Sequence, residues 1–180
     1  EGFVTQAGTP NSNVIDFTIG TTPVRTTAST EFRGGTVDEI VVGAKMSAEG
    51  RFDGSTLIAK HVKFHESIRL EGDIETIGTN AIRIKGLPNV DVTVNSQTEF
   101  KNTSLSSLSS GNHIRVRGRV SNANSVIVTR IELRSADDDV DLQGPVQSIT
   151  GGDDLQILGI SVDTSTISND NFEGLNDQVI

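Results

Sequence analysis

Alternating apolar and polar residues run through the middle of the chain and predict short β-strands. Turn residues (Gly, Asn and Pro) separate the alternating runs, which is typical of strands joined by tight connections. The alternating apolar positions between residues 68 and 94 include Ile68, Leu70, Ile74, Ile82, Ile84, Val90, Val92 and Val94.

The pattern changes after residue 102. Leu105 and Leu108 stand three apart, with a Ser or Thr before them as a cap and Gly111 after them as a stop, so we expect one or two short helical turns. Alternation resumes over residues 114–133 and predicts two more strands. Three strands, a short helix and two strands are the order and length of an OB-like five-stranded barrel.

The chain also repeats itself. Thr30-Glu31-Phe32 recurs at Thr98-Glu99-Phe100, and Gly50-Arg51 recurs at Gly118-Arg119, always 68 residues later. A period of this size indicates a small domain. We therefore predict an all-β protein of tandem OB-like barrels, each with a short helix between strands three and four. Repeat 1 covers residues 1–67 and repeat 2 covers 68–136, while 137–180 form a linker and an incomplete repeat 3.

The repeated residues have structural interpretations. Gly50 and Gly118 fall within strands, where glycine permits a bend or a close backbone approach. Phe32 and Phe100 are expected to be buried in their barrels, together with Met46, Ala48, Val24, Thr26 and Val37 in repeat 1 and Ile114, Val116, Val92, Val94 and Leu105 in repeat 2.

Charge and composition exclude several classes of function. The net charge of −9 makes nucleic acid an improbable partner, and the absence of cysteine excludes disulfides and thiol catalysis. No apolar run is long enough for a transmembrane segment. Residues 137–180 carry ten acidic and no basic side chains. We expect residues 140–165 to pack against repeat 2 or a neighbouring chain, with a homo-oligomer forming through repeat 3.

The combination of Thr-Glu-Phe, Leu-x-x-Leu and a pair of glycines seven apart (43 and 50, 111 and 118) resembles the bacterial domain of unknown function 5666 family. The resemblance covers essentially the whole chain, with the third copy cut short. It implies tandem domains in exported proteins of the bacterial cell envelope, whether periplasmic, secreted or lipid-anchored. It implies no activity and no catalytic residues.

Candidate metal sites are weak. His61 and His65 lie four apart on a predicted strand, which separates them by about 13 Å. We therefore expect these two and the third histidine, His113, to be surface residues rather than ligands of one ion. Asp137, Asp139 and Asp141 have the spacing that opens a calcium loop, but Leu142 and Ser148 occupy the positions of its glycine and its last acidic ligand. An acidic linker explains them better, and we predict no metal and no cofactor.

Arg115, Arg117 and Arg119 alternate along one strand and form the candidate ligand-binding site. Such a stripe could hold an anionic polysaccharide or a lipid headgroup. The other interpretation is cross-strand pairing with acids such as Glu71 and Glu132. The sequence has no nucleophile motif and no phosphate-binding loop, so we do not expect an enzyme.

We therefore expect a non-enzymatic structural module, or one that binds a protein or glycan of the bacterial envelope. The alternatives are a carbohydrate- or anion-binding protein that uses the arginine stripe of repeat 2, and an enzyme with an unrecognised site.

Overall fold

The computed structural model describes residues 1–122, 124–150 and 154–166. Internal contacts divide the chain into two units. The first comprises Glu1–Glu66 with Arg119–Asn122, and the second comprises Ser67–Gly118 with Ala123–Ile180. The domain boundaries that the repeat suggests stay a prediction. No helix among the described residues is both long and apolar enough to cross a membrane.

The first unit contains a closed barrel of five strands. β1 pairs with β2 and β5, β2 with β3, and β5 with β6, all antiparallel, and a parallel pairing of β3 with β6 closes the circle. The short strand β4 adds to β6 in parallel. These strands are β1 (Gly2–Ala7), β2 (Asp16–Ile19), β3 (Thr22–Arg25), β4 (Glu31–Arg33), β5 (Lys45–Asp53) and β6 (Thr56–His65).

A second barrel repeats this arrangement. β7 pairs with β8 and β11, β8 with β9, and β11 neighbours β12, while β9 and β12 pair in parallel and close the barrel. The short strand β10 again adds in parallel, here to β12. The strands are β7 (Ile68–Ile77), β8 (Ala81–Ile84), β9 (Asp91–Thr93), β10 (Glu99–Lys101), β11 (His113–Asn122) and β12 (Ser125–Leu133). The prediction of tandem five-stranded barrels is confirmed.

The start of the third copy pairs with the second barrel, as predicted. Leu142 of β13 (Asp141–Gln143) lies opposite Leu70 of β7 in an antiparallel ladder. The next three strands form a separate antiparallel sheet in the order β14 (Val146–Thr150), β15 (Asp154–Ile157) and β16 (Ile160–Asp163). Ile149 of β14 lies opposite Leu155 of β15 in this sheet.

The structure does not support the helix predicted between strands three and four. In both barrels this segment holds a short strand followed by a single three-residue 3-10 turn, Val37–Glu39 in the first and Leu105–Ser107 in the second. The Ser and Thr side chains there bond to nearby backbone; Ser107, for example, accepts from the Ser104 amide at 2.9 Å. Such local bonds compete with helix continuation.

Apolar side chains fill both barrels. Met46, Val24 and Val62 are at most 1% exposed in the first, and Ile114, Val116 and Val92 are fully buried in the second. The predicted burial of Phe32, Phe100, Ala48 and Leu105 is only partly correct, because all four are partly exposed. The two phenylalanines lie on the added strands β4 and β10, outside the closed circle, so Phe32 packs against the core from its margin.

The recurring Thr-Glu-Phe motif has a structural explanation that begins with its threonine. Thr30 and Thr98 are buried, and their hydroxyls donate to the Ala59 carbonyl at 2.7 Å and the Val128 carbonyl at 3.0 Å. Each hydroxyl thereby ties the start of the added strand to the long strand beside it.

Gly50 lies at a β-bulge, where the pairing of β5 with β6 shifts by one residue between Glu49 and Gly50. A Cβ atom at Gly50 would stand 1.9 Å from the Ile58 carbonyl oxygen, and one at Gly118 would stand 2.5 Å from the Ile127 carbonyl oxygen. Both distances are far below van der Waals contact. The predicted close backbone approach at these two glycines is confirmed.

Candidate functional site

Arg115 of the predicted arginine stripe is held by an acid on the neighbouring strand. It lies opposite Glu71 in the ladder between β11 and β7. Its Nε donates to one Glu71 carboxylate oxygen at 2.7 Å and its Nη2 to the other at 3.2 Å. Two parallel bonds of this kind are the strongest arrangement of an arginine with a carboxylate. The cross-strand pairing of Arg115 with Glu71 is therefore confirmed.

Glu71 is the centre of a larger network on the second barrel. Arg69 Nη2 donates to it at 3.3 Å and to Asp141 of β13 at 2.7 Å. His113, whose side chain is 2% exposed, lies between two acids, with Nδ1 3.0 Å from Asp73 and Nε2 3.8 Å from Glu71. Burial raises the pKa of Glu71, but the hydrogen bonds from Arg115 and Arg69 outweigh it and hold that pKa below its ordinary value.

Charged residue pairs in the ladder between β10 and β12 of the same barrel also neutralise each other. Lys101 on β10 lies opposite Glu132 on β12, with its amine 3.1 Å from the carboxylate, and this hydrogen bond lowers the pKa of Glu132. Arg130 binds Glu99 in the adjacent row at 2.8 Å. Most cations of this surface are thus engaged by carboxylates of the same surface.

The structure does not bring the three arginines together as one exposed cationic site. Arg115 is already bonded to Glu71. Arg119 is only 4% exposed, and its contacts assign it to the first unit. Arg117 is exposed and lies opposite Arg69. Ligand binding at Arg115, Arg117 and Arg119 stays a prediction, with Arg117 as its most accessible member.

The equivalent rows of the first barrel carry a different set of charges. Glu31 on β4 and His61 on β6 take the places of Glu99 and Arg130. His61 lies 3.3 Å from Glu31 and 3.9 Å from Glu49. In the row that corresponds to Lys101 and Glu132, Arg33 on β4 lies opposite Lys63 on β6. Two cations therefore face each other where the second barrel has an ion pair.

Three shallow hollows lie on the first barrel. One of about 430 Å³ is bordered by β1, β2 and β3, and there Arg25 is neutralised by two bonds to Asp16 at 2.6 and 3.1 Å. A second, of about 460 Å³, surrounds the bulge at Gly50. A third, of about 340 Å³, has a lining that includes Arg33 and Lys63.

The histidines are not arranged as metal ligands. His61 and His65 are about one quarter exposed, and His65 Nε2 is bonded to the Ser47 hydroxyl at 2.9 Å. His113 is buried, so the prediction that it lies on the surface is wrong. Within residues 1–122, 124–150 and 154–166, no group of three His, Cys, Asp or Glu side chains is placed to hold an ion. Asp141, from the candidate calcium run, instead binds Arg69.

Comparison with known proteins adds a family to this geometry. The sequence model of the family described as Domain of unknown function (DUF5666) matches residues 1–63 and again residues 71–132. The chain belongs to the DUF5666 family. No curated protein and no solved structure matches it.

The two DUF5666 matches coincide with the two barrels, so the pairing of Arg33 with Lys63 can be compared with its counterpart inside one molecule. Sequence reasoning missed this pair because β4 and β6 are about 30 positions apart and meet only in the parallel ladder. The repeat gives only part of the signal: Arg33 aligns with Lys101 at the period of 68, but Lys63 then aligns with Ile131. Only the ladders place Lys63 at the position of Glu132.

Replacing Glu71 with glutamine should make the unfolding free energy of this DUF5666 chain less dependent on pH. A carboxyl whose pKa is lowered by folding adds stability that is fully present above its ordinary pKa of 4.5 and is lost as pH falls through the folded value. We expect Glu71→Gln to cost about 2 kcal/mol at pH 7, since Arg115 loses its charged partner, and progressively less at acidic pH. Urea unfolding between pH 3 and pH 7 measures this.

Glu75→Gln is the matched control, because Glu75 is exposed on the same strand. It should leave the pH profile of the native protein unchanged. An equal cost of Glu71→Gln at pH 7 and pH 3 would contradict a role for the ionised carboxylate.

Proposed function

We propose that this chain is a non-enzymatic module of the bacterial cell envelope that binds a protein or glycan through the outer faces of its barrels. The observation that carries the proposal is the filled interior: the barrel axes are occupied by side chains such as Met46 and Ile114, both 0% exposed. A closed barrel whose interior is filled by side chains has no room for a ligand inside, so a ligand binds to its outer surface. The hollows around Gly50 and beside Lys63 have exposed residues such as Glu49 in their lining.

The envelope location rests on the resemblance to tandem domains of exported proteins. Fractionation of the source organism, with an antibody against this chain, tests it. Recovery with the periplasmic, secreted or lipid-anchored proteins is the expected result, and recovery in the cytoplasm would overturn it.

Binding is tested by immobilising the chain and probing it with a glycan array and with detergent-solubilised envelope proteins. We expect a saturable interaction with a single component and no chemical change of that component after incubation. A product released from a bound glycan would favour the alternative of an unrecognised enzyme. The absence of any envelope ligand would leave a purely structural module and would reject the binding role.

The second candidate is an anion- or carbohydrate-binding protein that uses Arg115, Arg117 and Arg119 of repeat 2. The exposure of Arg117 supports it. Arg117→Glu should then abolish binding, whereas a surface already neutralised by Glu71 and Glu132 predicts little change.

A homo-oligomer through repeat 3 is part of the same proposal. Within the described residues, β14 and β16 each pair only with β15, so both are edges of a three-stranded sheet. Such edges are available for pairing with another chain. Light scattering at low and high salt should give a mass above 19.1 kDa, and a monomer at both salts would reject the assembly.

A further inference from the structure

The pairing of Arg33 with Lys63 is unusual because it places two cations opposite each other in one ladder. The two residues lie directly opposite each other in the ladder between β4 and β6, and both are exposed. Among the residues that the structure describes, no carboxylate oxygen lies within 4.0 Å of the Arg33 guanidinium or the Lys63 amine. Like charges directly opposite each other destabilise a sheet.

The fold does not require this arrangement. At the same place in the second barrel, Lys101 lies opposite Glu132 and binds it at 3.1 Å. The backbone at this position of the ladder therefore accommodates an ion pair. In the first barrel it instead holds two cations, an arrangement that a bound anion would stabilise.

Arg33 and Lys63 line a hollow of about 340 Å³ on the outer face of β4, β5 and β6. The nearby acids do not reach the two cations. Glu31 and Glu49 face His61 instead, at 3.3 and 3.9 Å, although Glu49 also lines the hollow. The hollow thus presents one guanidinium and one amine to a ligand, with an acid at one side.

The neighbouring hollow around Gly50 shares Glu49 with the first. Its lining includes Lys60 together with Thr27 and Ser29, whose hydroxyl oxygens lie 3.0 Å apart. Hydroxyl groups beside a cationic pair match a ligand that carries both hydroxyls and a charged oxygen group. No Trp or Tyr is present in the chain to stack on a flat base or ring.

We propose that the hollow between Arg33 and Lys63 binds the carboxylate of an acidic glycan, with the adjoining sugar lying over the hollow around Gly50. Guanidinium and ammonium groups form short, charge-assisted hydrogen bonds with carboxylate oxygens. This inference rests on the proposed binding function and specifies its ligand.

Calorimetric titration with trigalacturonate at low salt tests the proposal. The informative variant is Lys63→Glu, since it recreates in the first barrel the ion-pair pattern seen at Lys101 and Glu132 and should therefore fold. We expect it to weaken binding by about tenfold or more, the loss of one charge-assisted contact. The affinity of the neutral variant Lys63→Gln should lie between those of the native protein and Lys63→Glu.

Lys85→Glu is the matched control, since it makes the same change of net charge at an exposed lysine of the second barrel. It should bind trigalacturonate as the native protein does. Methyl-esterified trigalacturonate, which lacks the charges, should not bind, and inorganic sulfate should bind more weakly than trigalacturonate because it makes no contact around Gly50.

Two results would overturn the proposal: no binding of trigalacturonate to the native protein, or equal binding to the native protein and Lys63→Glu. Sulfate binding as tightly as trigalacturonate would reject a glycan as the ligand. If any of these occurred while another envelope component still bound, the binding function would stand and only the acidic-glycan site would fail.

Discussion

Replacing Gly50 with alanine should destabilise the first barrel by about 3 kcal/mol or more, the upper range for overpacked sites. The new Cβ would stand 1.9 Å from the Ile58 carbonyl oxygen and 2.9 Å from the Ala59 Cα. Both are backbone atoms, so no side chain can rotate away and the ladder between β5 and β6 must shift. Urea unfolding followed by circular dichroism measures the loss.

Gly54→Ala is the control in the same unit. Gly54 has a positive φ of 60°, but an alanine Cβ there would have no atom of a non-neighbouring residue within 4 Å. Alanine at this position therefore costs only the backbone strain, about 1 kcal/mol. Equal costs at Gly50 and Gly54 would contradict the close approach at the bulge as the reason for glycine at position 50.

Replacing Leu70 with alanine should destabilise the second unit by about 2–5 kcal/mol, the range for a truncated core leucine. Leu70 is fully buried, and its strand position lies between Val116 on β11 and Leu142 on β13. Such a loss is a large share of the total stability of a small domain. The midpoint of urea unfolding should fall accordingly.

Leu133→Ala deletes the same atoms from a residue that is 37% exposed, and it should cost less than about 1 kcal/mol. A comparable cost for both variants would contradict the position of Leu70 in the core. Since β13 pairs with β7 at Leu70, Leu70→Ala should also increase proteolysis between residues 134 and 145.

The barrels were predictable because their strands carry their own signal. Ile82, Ile84 and Val92 alternate with polar residues, and all three are buried. Gly50 and Gly118 could be identified from the repeat, since a glycine kept at the same strand position in both copies indicates a close approach. Those features depend on local periodicity and on the internal comparison.

The segment between strands three and four was not predictable in the same way. Leu105 and Leu108 are spaced as on a helix, yet only Leu108 is buried, and a three-residue turn suffices to place it. The added strands β4 and β10 have three residues each, which is too short for alternation to show. The sequence pattern therefore predicts Phe32 and Phe100 in the core, whereas both lie at its margin.

The candidate site was only partly predictable. The pairing of Arg115 with Glu71 was predictable because the two residues lie on neighbouring strands of one barrel. The structure shows them opposite each other and hydrogen-bonded. The row of Arg33 and Lys63 depends on a parallel ladder between distant segments, which no local pattern reveals. The burial of Arg119 likewise depends on tertiary packing.

The two barrels share one fold and differ in their outer charges, and this difference leads us to expect that the first barrel, and not the second, binds the ligand. Mapping of amide chemical shifts during titration with trigalacturonate distinguishes the two barrels residue by residue. We expect saturable shifts at residues 31–33, 47–50 and 60–63, with the amides around Arg115 and Arg117 unchanged. Shifts confined to residues 115–117, or no shifts at millimolar ligand, would contradict binding by the first barrel.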